Sequence, residues 1–225
     1  MSVAVLVFPG SNCDRDAARA LARLGVKVRL VWHRDSFRDA DGVVLPGGFS
    51  YGDYLRSGAL AAHSPAIDGV RALAARGVPV LGICNGFQIL CEAGLLPGAL
   101  GVNRSRQFRC SWEHVRVEQA LAEGAPVGTV WHLPIAHREG RWLSDAPTRE
   151  RVRGEGEVWL RYCAADGSVS DASNPNGSLD HVAGLVRASV MGLMPHPERA
   201  AEAVLGGTDG ARLLTAWASR TGVAS

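Results

Sequence analysis

The sequence predicts an α/β fold, with a doubly wound, mostly parallel central sheet, flanking helices and additional strands in the C-terminal half. In the N-terminal half, short apolar runs alternate with segments whose apolar residues recur at helical spacing. After Pro97 the pattern changes to short strands separated by turn-rich segments. A chain of 225 residues can bury one sizeable core. We therefore expect a single domain over residues 1–225.

The N-terminal half opens with a continuous apolar run from Val3 to Phe8, which is typical of a parallel strand covered on both faces. A helix follows from Asp14, and Gly25 ends it. Apolar and polar residues alternate over 26–32, which places the next strand near an edge of the sheet. Further strands are predicted at 43–45 and 78–83, with helices over 59–75 and directly after Cys84.

The C-terminal half reads mainly as strands that extend and flank the central sheet. We expect little helix between Leu100 and Met194. The chain closes with a predicted helix over 209–220. The predicted strands lie at 112–117, 127–131, 158–163, 182–186 and 190–194.

Composition narrows the functional classes. The net charge of +2 gives no electrostatic reason to expect a nucleic acid or an anionic membrane as a partner. No apolar segment is long enough to span a bilayer, and the first residues read as a strand rather than a signal peptide. The five cysteines are an odd number without a C-x-x-C pair. We therefore expect neither a disulfide framework nor a metal site, and a cytoplasmic location.

The stretch around Cys84 carries the first chemical signal. Gly82 and Gly86 stand two residues before and after the cysteine, between a short apolar run and a helical pattern. This is the arrangement of a nucleophile elbow, in which the nucleophile lies on a strained turn from strand to helix. The helix dipole and the unpaired amides of the first turn favour a thiolate there. We predict that Cys84 is the nucleophile of a cysteine hydrolase or acyl-transfer enzyme.

Cys13 is the alternative nucleophile, because it also lies near a helix start after a strand. Its loop, however, lacks a glycine two residues later, and Gly10 stands three residues before it. The remaining cysteines are expected to act as small buried hydrophobic residues. They are Cys91, Cys110 and Cys163.

A thiol with an ordinary pKa needs a neighbouring base. His196 follows the apolar strand 190–194, and Glu198 stands two residues later, where an extended backbone turns both side chains the same way. Glu198 can then orient the imidazole and stabilise the imidazolium. This predicts a triad of Cys84, His196 and Glu198. The alternative for an isolated His-Pro-Glu segment is a rigid surface turn.

An oxyanion site is predicted beside the elbow. Gly47 and Gly48 follow a buried strand, and ligands of doubly wound sheets bind beyond the carboxyl ends of the strands. A glycine pair alone is a weak signal, but its place beside the elbow strengthens it. The amides of Gly48 and Asn85 would both point at a developing alkoxide.

These motifs resemble those of the triad class of glutamine amidotransferases. Longer strings are similar, nearly end to end, to the glutaminase subunits of phosphoribosylformylglycinamidine synthases. The strings are LPGGFSYGDYLR from Leu45, LPIAH from Leu133, NPNGS from Asn174 and MPHPER from Met194. The sequence departs from that pattern at Arg138, where a glycine is expected, and between Tyr162 and Asn174, where the stretch is shortened.

The resemblance implies that Cys84 attacks the side-chain carbonyl of L-glutamine, forms a γ-glutamyl thioester and releases ammonia. It implies that His196 transfers the protons and that the Gly48 and Asn85 amides hold the oxyanion. The residues that it implies in glutamine binding are Gly47, Gln88 and the main chain of Ile135, Ala136 and His137.

The resemblance also implies partners. Ammonia would pass to a large synthetase subunit, which uses ATP and Mg²⁺ to convert formylglycinamide ribonucleotide into its amidine in purine biosynthesis. A small accessory subunit would complete the complex. No cofactor is expected in this chain, which has no phosphate-binding G-x-x-x-x-G-K-[ST] motif.

Two other functions are compatible with the triad. One is an amidotransferase, stand-alone glutaminase or γ-glutamyl hydrolase of another pathway, which the longer strings disfavour. The other is a non-catalytic regulatory subunit that keeps the fold. A missing triad residue would favour that interpretation, and all three are present.

Overall fold

The computed structural model describes residues 2–120 and 124–222. Within these residues the chain forms eleven strands, five α-helices and several short 3₁₀ turns. The strands are β1 Val3–Val7, β2 Val28–Trp32, β3 Gly42–Leu45, β4 Val80–Ile83, β5 Ala99–Gly101, β6 Arg109–Val117, β7 Val130–His137, β8 Arg141–Leu143, β9 Val158–Cys163, β10 Val182–Arg187 and β11 Val190–Leu193. The helices are α1 Asp14–Arg23, α2 Pro65–Ala75, α3 Asn85–Glu92, α4 Ala146–Gly154 and α5 Asp209–Ser219.

Nine strands form one mixed sheet in the order β2-β1-β3-β4-β11-β10-β9-β6-β7. From β2 to β11 all neighbours are parallel, and from β11 to β7 all neighbours are antiparallel. The α/β class and the additional C-terminal strands are therefore confirmed. β2 is an edge strand, as its alternation predicts, and its Leu30 and Trp32 are 52% and 43% exposed.

The inner parallel strands β1, β3, β4 and β11 carry no polar side chain, because helices and loops cover them. Val3, Val43, Val44 and Leu81 are completely buried. The helices lie in two groups: α1 and α5 both contact the 3₁₀ turn Pro197–Ala200, whereas α2 and α3 both contact the turn Ala61–His63. Among the described residues, no helix combines the length and apolar character needed to cross a membrane.

Three local features differ from the sequence predictions. The helix expected from residue 59 begins at Pro65, after a 3₁₀ turn, because proline fits the first turn of a helix. The region expected to hold little helix contains α4, which Asp145 caps by accepting a hydrogen bond from the Thr148 amide at 3.0 Å. The sequence analysis also missed the short strands β5 and β8, which form a separate two-stranded sheet.

Candidate active site

Cys84 lies on a strained turn between β4 and α3. Its φ is 48°, in the region that favours glycine, and such a conformation costs about 1–3 kcal/mol. The turn is tightly enclosed: a Cβ at Gly86 would lie 2.0 Å from the Leu45 carbonyl oxygen, and one at Gly82 would lie 2.7 Å from the Gly86 carbonyl. These contacts explain both glycines and confirm the strand-turn-helix geometry of the elbow.

The sheet topology brings a second segment to the same place. β11 lies next to β4 and parallel to it, with Leu193 opposite Ile83. The Cys84 amide donates a hydrogen bond to the Leu193 carbonyl at 2.7 Å. Because both strands end at the same edge of the sheet, the residues that follow β11 lie beside Cys84. The first polar side chain among them is His196.

His196 and Glu198 form a buried pair. The imidazole Nδ1 and the Glu198 Oε1 are 2.6 Å apart, and the two side chains are 2% and 0% exposed. Burial alone would lower the pKa of His196, but the Glu198 carboxylate and the Cys84 sulfur outweigh it and hold that pKa well above its usual value. The pair is therefore not a surface turn. The other ring nitrogen of His196, Nε2, is buried without a hydrogen-bond partner among the described residues.

Cys84 lies on the wall of a cavity of about 360 Å³. The residue is 5% exposed, and its Sγ is 3.9 Å from the Ala136 carbonyl oxygen. The sulfur stands at the start of α3, where the helix dipole and the first-turn amides favour negative charge. A small substrate in this cavity would reach a sulfur that lies close enough to His196 to raise the pKa of its imidazole.

The predicted oxyanion loop borders both the cavity and the imidazole. Gly48 lines the cavity together with Cys84. A Cβ at Gly47 would lie 2.7 Å from His196 Cε1, and one at Gly48 would lie 2.8 Å from the Ser11 backbone. The loop therefore needs glycine at both positions to approach the imidazole and the N-terminal segment. The assignment of the Gly48 and Asn85 amides as oxyanion donors stays a prediction.

The predicted glutamine-binding residues divide into two groups. Gln88, Ala136 and His137 line the cavity. The Gln88 side chain is fixed at both ends, because Nε2 donates to the Glu139 carbonyl at 2.5 Å and Oε1 accepts from Asn85 Nδ2 at 2.9 Å. The Ile135 side chain is completely buried, so any contribution would come from its main chain. The binding roles stay predictions.

Cys13 lies behind the imidazole rather than on the cavity wall described above. The residue is 1% exposed, and its Sγ accepts a hydrogen bond from Arg199 Nη2 at 2.9 Å. Donor atoms of Cys13, His196 and Glu198 all lie within 4.8 Å of one another, which is close enough for a metal ion. The neighbouring Arg199 guanidinium and the bond between His196 and Glu198 disfavour a cation there.

Two of the three remaining cysteines, Cys91 and Cys163, are buried as expected. Burial raises the pKa of Cys91 well above its usual value and that of Cys163 to about 11. Cys110 was expected to be buried and is instead exposed. The expectation was wrong because residue 110 lies in the first, solvent-facing part of β6, where the neighbouring Arg109 is exposed as well.

The cavity also contains residues to which the sequence analysis gave no role. Asp53, Ser57 and Glu139 line it together with Phe49 and Phe108. Asp53 and Glu139 fall within or beside the strings that carry the family resemblance, which was the available signal. Their proximity could not be read from the chain, because Ser57 and Glu139 are 82 residues apart.

Comparison with known proteins identifies the family. Residues 1–208 match the CobB/CobQ-like glutamine amidotransferase domain. The phosphoribosylformylglycinamidine synthase subunit PurQ of Halobacterium salinarum is 55% identical over 224 residues, which cover 97% of this chain and 100% of that protein. The same subunit of Thermus thermophilus is 52% identical over 216 residues, which cover 93% of this chain and 94% of that protein.

A solved structure points the same way. The structure of PurLQS from Thermotoga maritima contains a chain that is 41% identical and superposes with a TM-score of 0.85, covering 97% of both chains. The resemblance inferred from the motifs is therefore confirmed. The chain belongs to the CobB/CobQ-like glutamine amidotransferase domain family and, within it, to the PurQ subunits of phosphoribosylformylglycinamidine synthase.

Proposed function

We propose that this chain hydrolyses L-glutamine to glutamate and ammonia through a γ-glutamyl thioester on Cys84. The observation that carries the proposal is the buried 2.6 Å bond between His196 and Glu198, which follow the strand next to the elbow that bears Cys84. This pair supplies a proton acceptor that stays oriented without help from solvent. The raised pKa of His196 favours the imidazolium, and hence a thiolate beside it.

The first half of the reaction forms the thioester. The Cys84 sulfur attacks the side-chain carbonyl carbon of glutamine, and His196 holds the proton of the thiol. The carbonyl oxygen becomes an oxyanion, which the Gly48 and Asn85 amides stabilise. His196 then gives its proton to the nitrogen, the carbon–nitrogen bond breaks, and ammonia leaves.

The second half restores the enzyme. His196, now neutral, takes a proton from a water molecule as that water attacks the thioester carbon. The second oxyanion collapses, the carbon–sulfur bond breaks, and glutamate leaves. This step leaves His196 as the imidazolium and Cys84 as the thiolate, which is the starting state for the next glutamine.

We extend the proposal to the partners. In PurLQS of Thermotoga maritima the related chain is part of a complex. For this chain we propose a large synthetase subunit and a small accessory subunit as partners. The synthetase would bind ATP and Mg²⁺ and use the ammonia to convert formylglycinamide ribonucleotide into formylglycinamidine ribonucleotide. We propose that the chain itself works without a cofactor, as a single amidotransferase domain in the cytoplasm.

The test is ammonia release from glutamine by the purified chain while synthetase is titrated in. We expect weak release by the chain alone and a rise to saturation with synthetase, because the partner completes or orders the site. Full activity without the partner would count against that coupling. Absence of release under both conditions would refute the glutaminase function.

A further inference from the structure

The cavity at Cys84 carries two carboxylates that the mechanism above does not use. Asp53 and Glu139 both line it, together with Ser57. The Ser57 amide donates a hydrogen bond to Glu139 Oε2 at 3.3 Å, and the Ser57 side chain lies close enough to Asp53 to act on the pKa of its carboxyl group. One buried serine therefore lies beside two acidic side chains at the same wall of the cavity.

The backbone around Asp53 is strained in a way that fixes its position. Tyr51, Gly52 and Asp53 have φ values of 55°, 68° and 53°. Successive residues in this region cost free energy and persist where the surroundings impose them. Here the Tyr51 hydroxyl bonds His33 Nδ1 at 2.7 Å, and the Tyr51 amide donates to the Pro9 carbonyl at 2.6 Å.

In the described part of the chain, no cationic side chain forms an ion pair with either carboxylate. The exposed Arg138 also lines the cavity but pairs with neither carboxylate among the described residues, and the nearby Arg56 is bonded to Glu92. Asp53 Oδ1 is buried without a hydrogen-bond partner there. Burial first, and then the charge of Glu139, raise the pKa of Asp53. A positively charged ligand group would relieve both effects.

His137, a neutral histidine, also borders the cavity. His137 is 3% exposed, and burial, followed by the charge of His196, lowers its pKa to about 3, so the imidazole is neutral. The His137 Nδ1 lies 3.2 Å from Asn103 Oδ1. Asn103 Nδ2 donates to the Gln107 and His137 carbonyls, which fixes the orientation of the Asn103 amide. Because Asn103 Oδ1 can only accept a hydrogen bond, His137 Nδ1 carries the proton. Nε2 is then an acceptor, buried and without a partner among the described residues.

We infer that Asp53 and Glu139 bind the α-ammonium group of L-glutamine while its carboxamide lies at Cys84. The inference rests on the proposed function and names the residues that make the site specific for the free amino acid. An analogue without the ammonium group would leave the buried Asp53 Oδ1 unpaired, and sites built to hydrogen-bond a polar group reject such analogues strongly.

The experiment compares two substrates that differ in this group alone. L-Glutamine and 4-carbamoylbutanoate, which is glutamine without its α-amino group, are tested as substrates and as competing ligands of the full chain reconstituted with its synthetase. The variants are Asp53→Asn and Glu139→Gln, which remove one negative charge each with little change of shape. Glu150→Gln, an exposed acidic residue of α4, is the control for loss of one charge.

We expect each cavity variant to lower kcat/KM for L-glutamine by roughly 10- to 100-fold, mainly through KM, because a hydrogen bond to a charged group is lost. The kinetic constants for 4-carbamoylbutanoate, or its inhibition constant if turnover is too slow, should stay within about two-fold. The control should match the wild type with both compounds.

Equal losses with both compounds would show a merely structural role for the carboxylates and overturn the inference. An unchanged KM for L-glutamine in both variants would overturn it as well. In either case the wild type still releases ammonia from L-glutamine, so the glutaminase function survives. A wild type that releases none would overturn the function and the inference together.

Discussion

Gly47→Ala tests how closely the oxyanion loop and the imidazole fit. The added Cβ would lie 2.7 Å from His196 Cε1, 3.3 Å from His196 Nδ1 and 3.3 Å from Cys13 Sγ. An ordinary contact begins at 3.4 Å, so the ring or the loop must move by several tenths of an ångström. The ring cannot move freely, because Glu198 holds it at 2.6 Å inside the core.

Two consequences follow from this displacement. Overpacking in a buried site costs about 1–3 kcal/mol of unfolding free energy. A shift approaching 1 Å between nucleophile and base lowers the rate by roughly 100-fold. We therefore expect glutamine-dependent turnover to fall by about two orders of magnitude while the variant still folds and still supports synthesis from free ammonia in the complex.

The control is Gly154→Ala, at the end of α4, where an added Cβ meets nothing within 4 Å. Its turnover should equal that of the wild type. The assay is ammonia release from glutamine in the reconstituted complex, with thermal unfolding measured in parallel. Wild-type turnover in folded Gly47→Ala would refute the argument, since it would mean that the imidazole position does not limit catalysis.

Three further predictions concern the triad and its surroundings. Glu198→Gln should lower kcat/KM roughly 10- to 100-fold, because the buried bond to the imidazole loses its charge; unchanged kinetics would remove Glu198 from the mechanism. Cys13→Ser should keep glutaminase activity, and a glutamine-like chloroketone should still label Cys84; an adduct at position 13 in the wild type would reverse the assignment. His137 has a folded-state pKa of about 3 against 6.5 unfolded, so the unfolded chain binds more protons between these values and acid should destabilise the fold. Urea unfolding at several pH values should show a loss of up to about 1.4 kcal/mol per unit below pH 6.5, and an equal slope in His137→Asn would contradict this.

The sequence was most informative where chemistry constrains a few consecutive residues. The glycines around Cys84 predict the elbow because the turn leaves no room for a side chain, and the added-Cβ contacts at Gly82 and Gly86 give the same reason. The spacing of His196 and Glu198 likewise predicts the hydrogen bond between them. Both patterns are local, so one stretch of sequence contains all the information that they need.

Contacts between residues far apart in the chain could not be predicted from local sequence patterns. β4 and β11 are neighbours in the sheet although more than a hundred residues separate them in the chain, and neither strand's pattern names its partner. The same limit applies to Asp53 and Glu139, which meet through Ser57. The contact between Arg199 and Cys13 is a further example, since it joins the two ends of the chain.

α4 escaped prediction for a different reason. Its sequence from Ala146 to Gly154 is rich in arginine, and Val152 is its single buried residue among those described. A helix with one buried position has almost no hydrophobic periodicity to detect. Its ion pairs supply part of the missing stabilisation: Arg149 and Arg153 both bind the Asp180 carboxylate and hold the pKa of Asp180 well below its usual range.

The most direct test of the account is to trap the acyl-enzyme. The reconstituted complex is mixed with glutamine, quenched in acid during turnover, digested and examined by mass spectrometry for a γ-glutamyl group. The account predicts that the group is attached to the peptide containing Cys84, and that it is absent from Cys84→Ala, which retains ammonia-dependent synthesis. Attachment to Cys13, or steady ammonia release by Cys84→Ala, would contradict it.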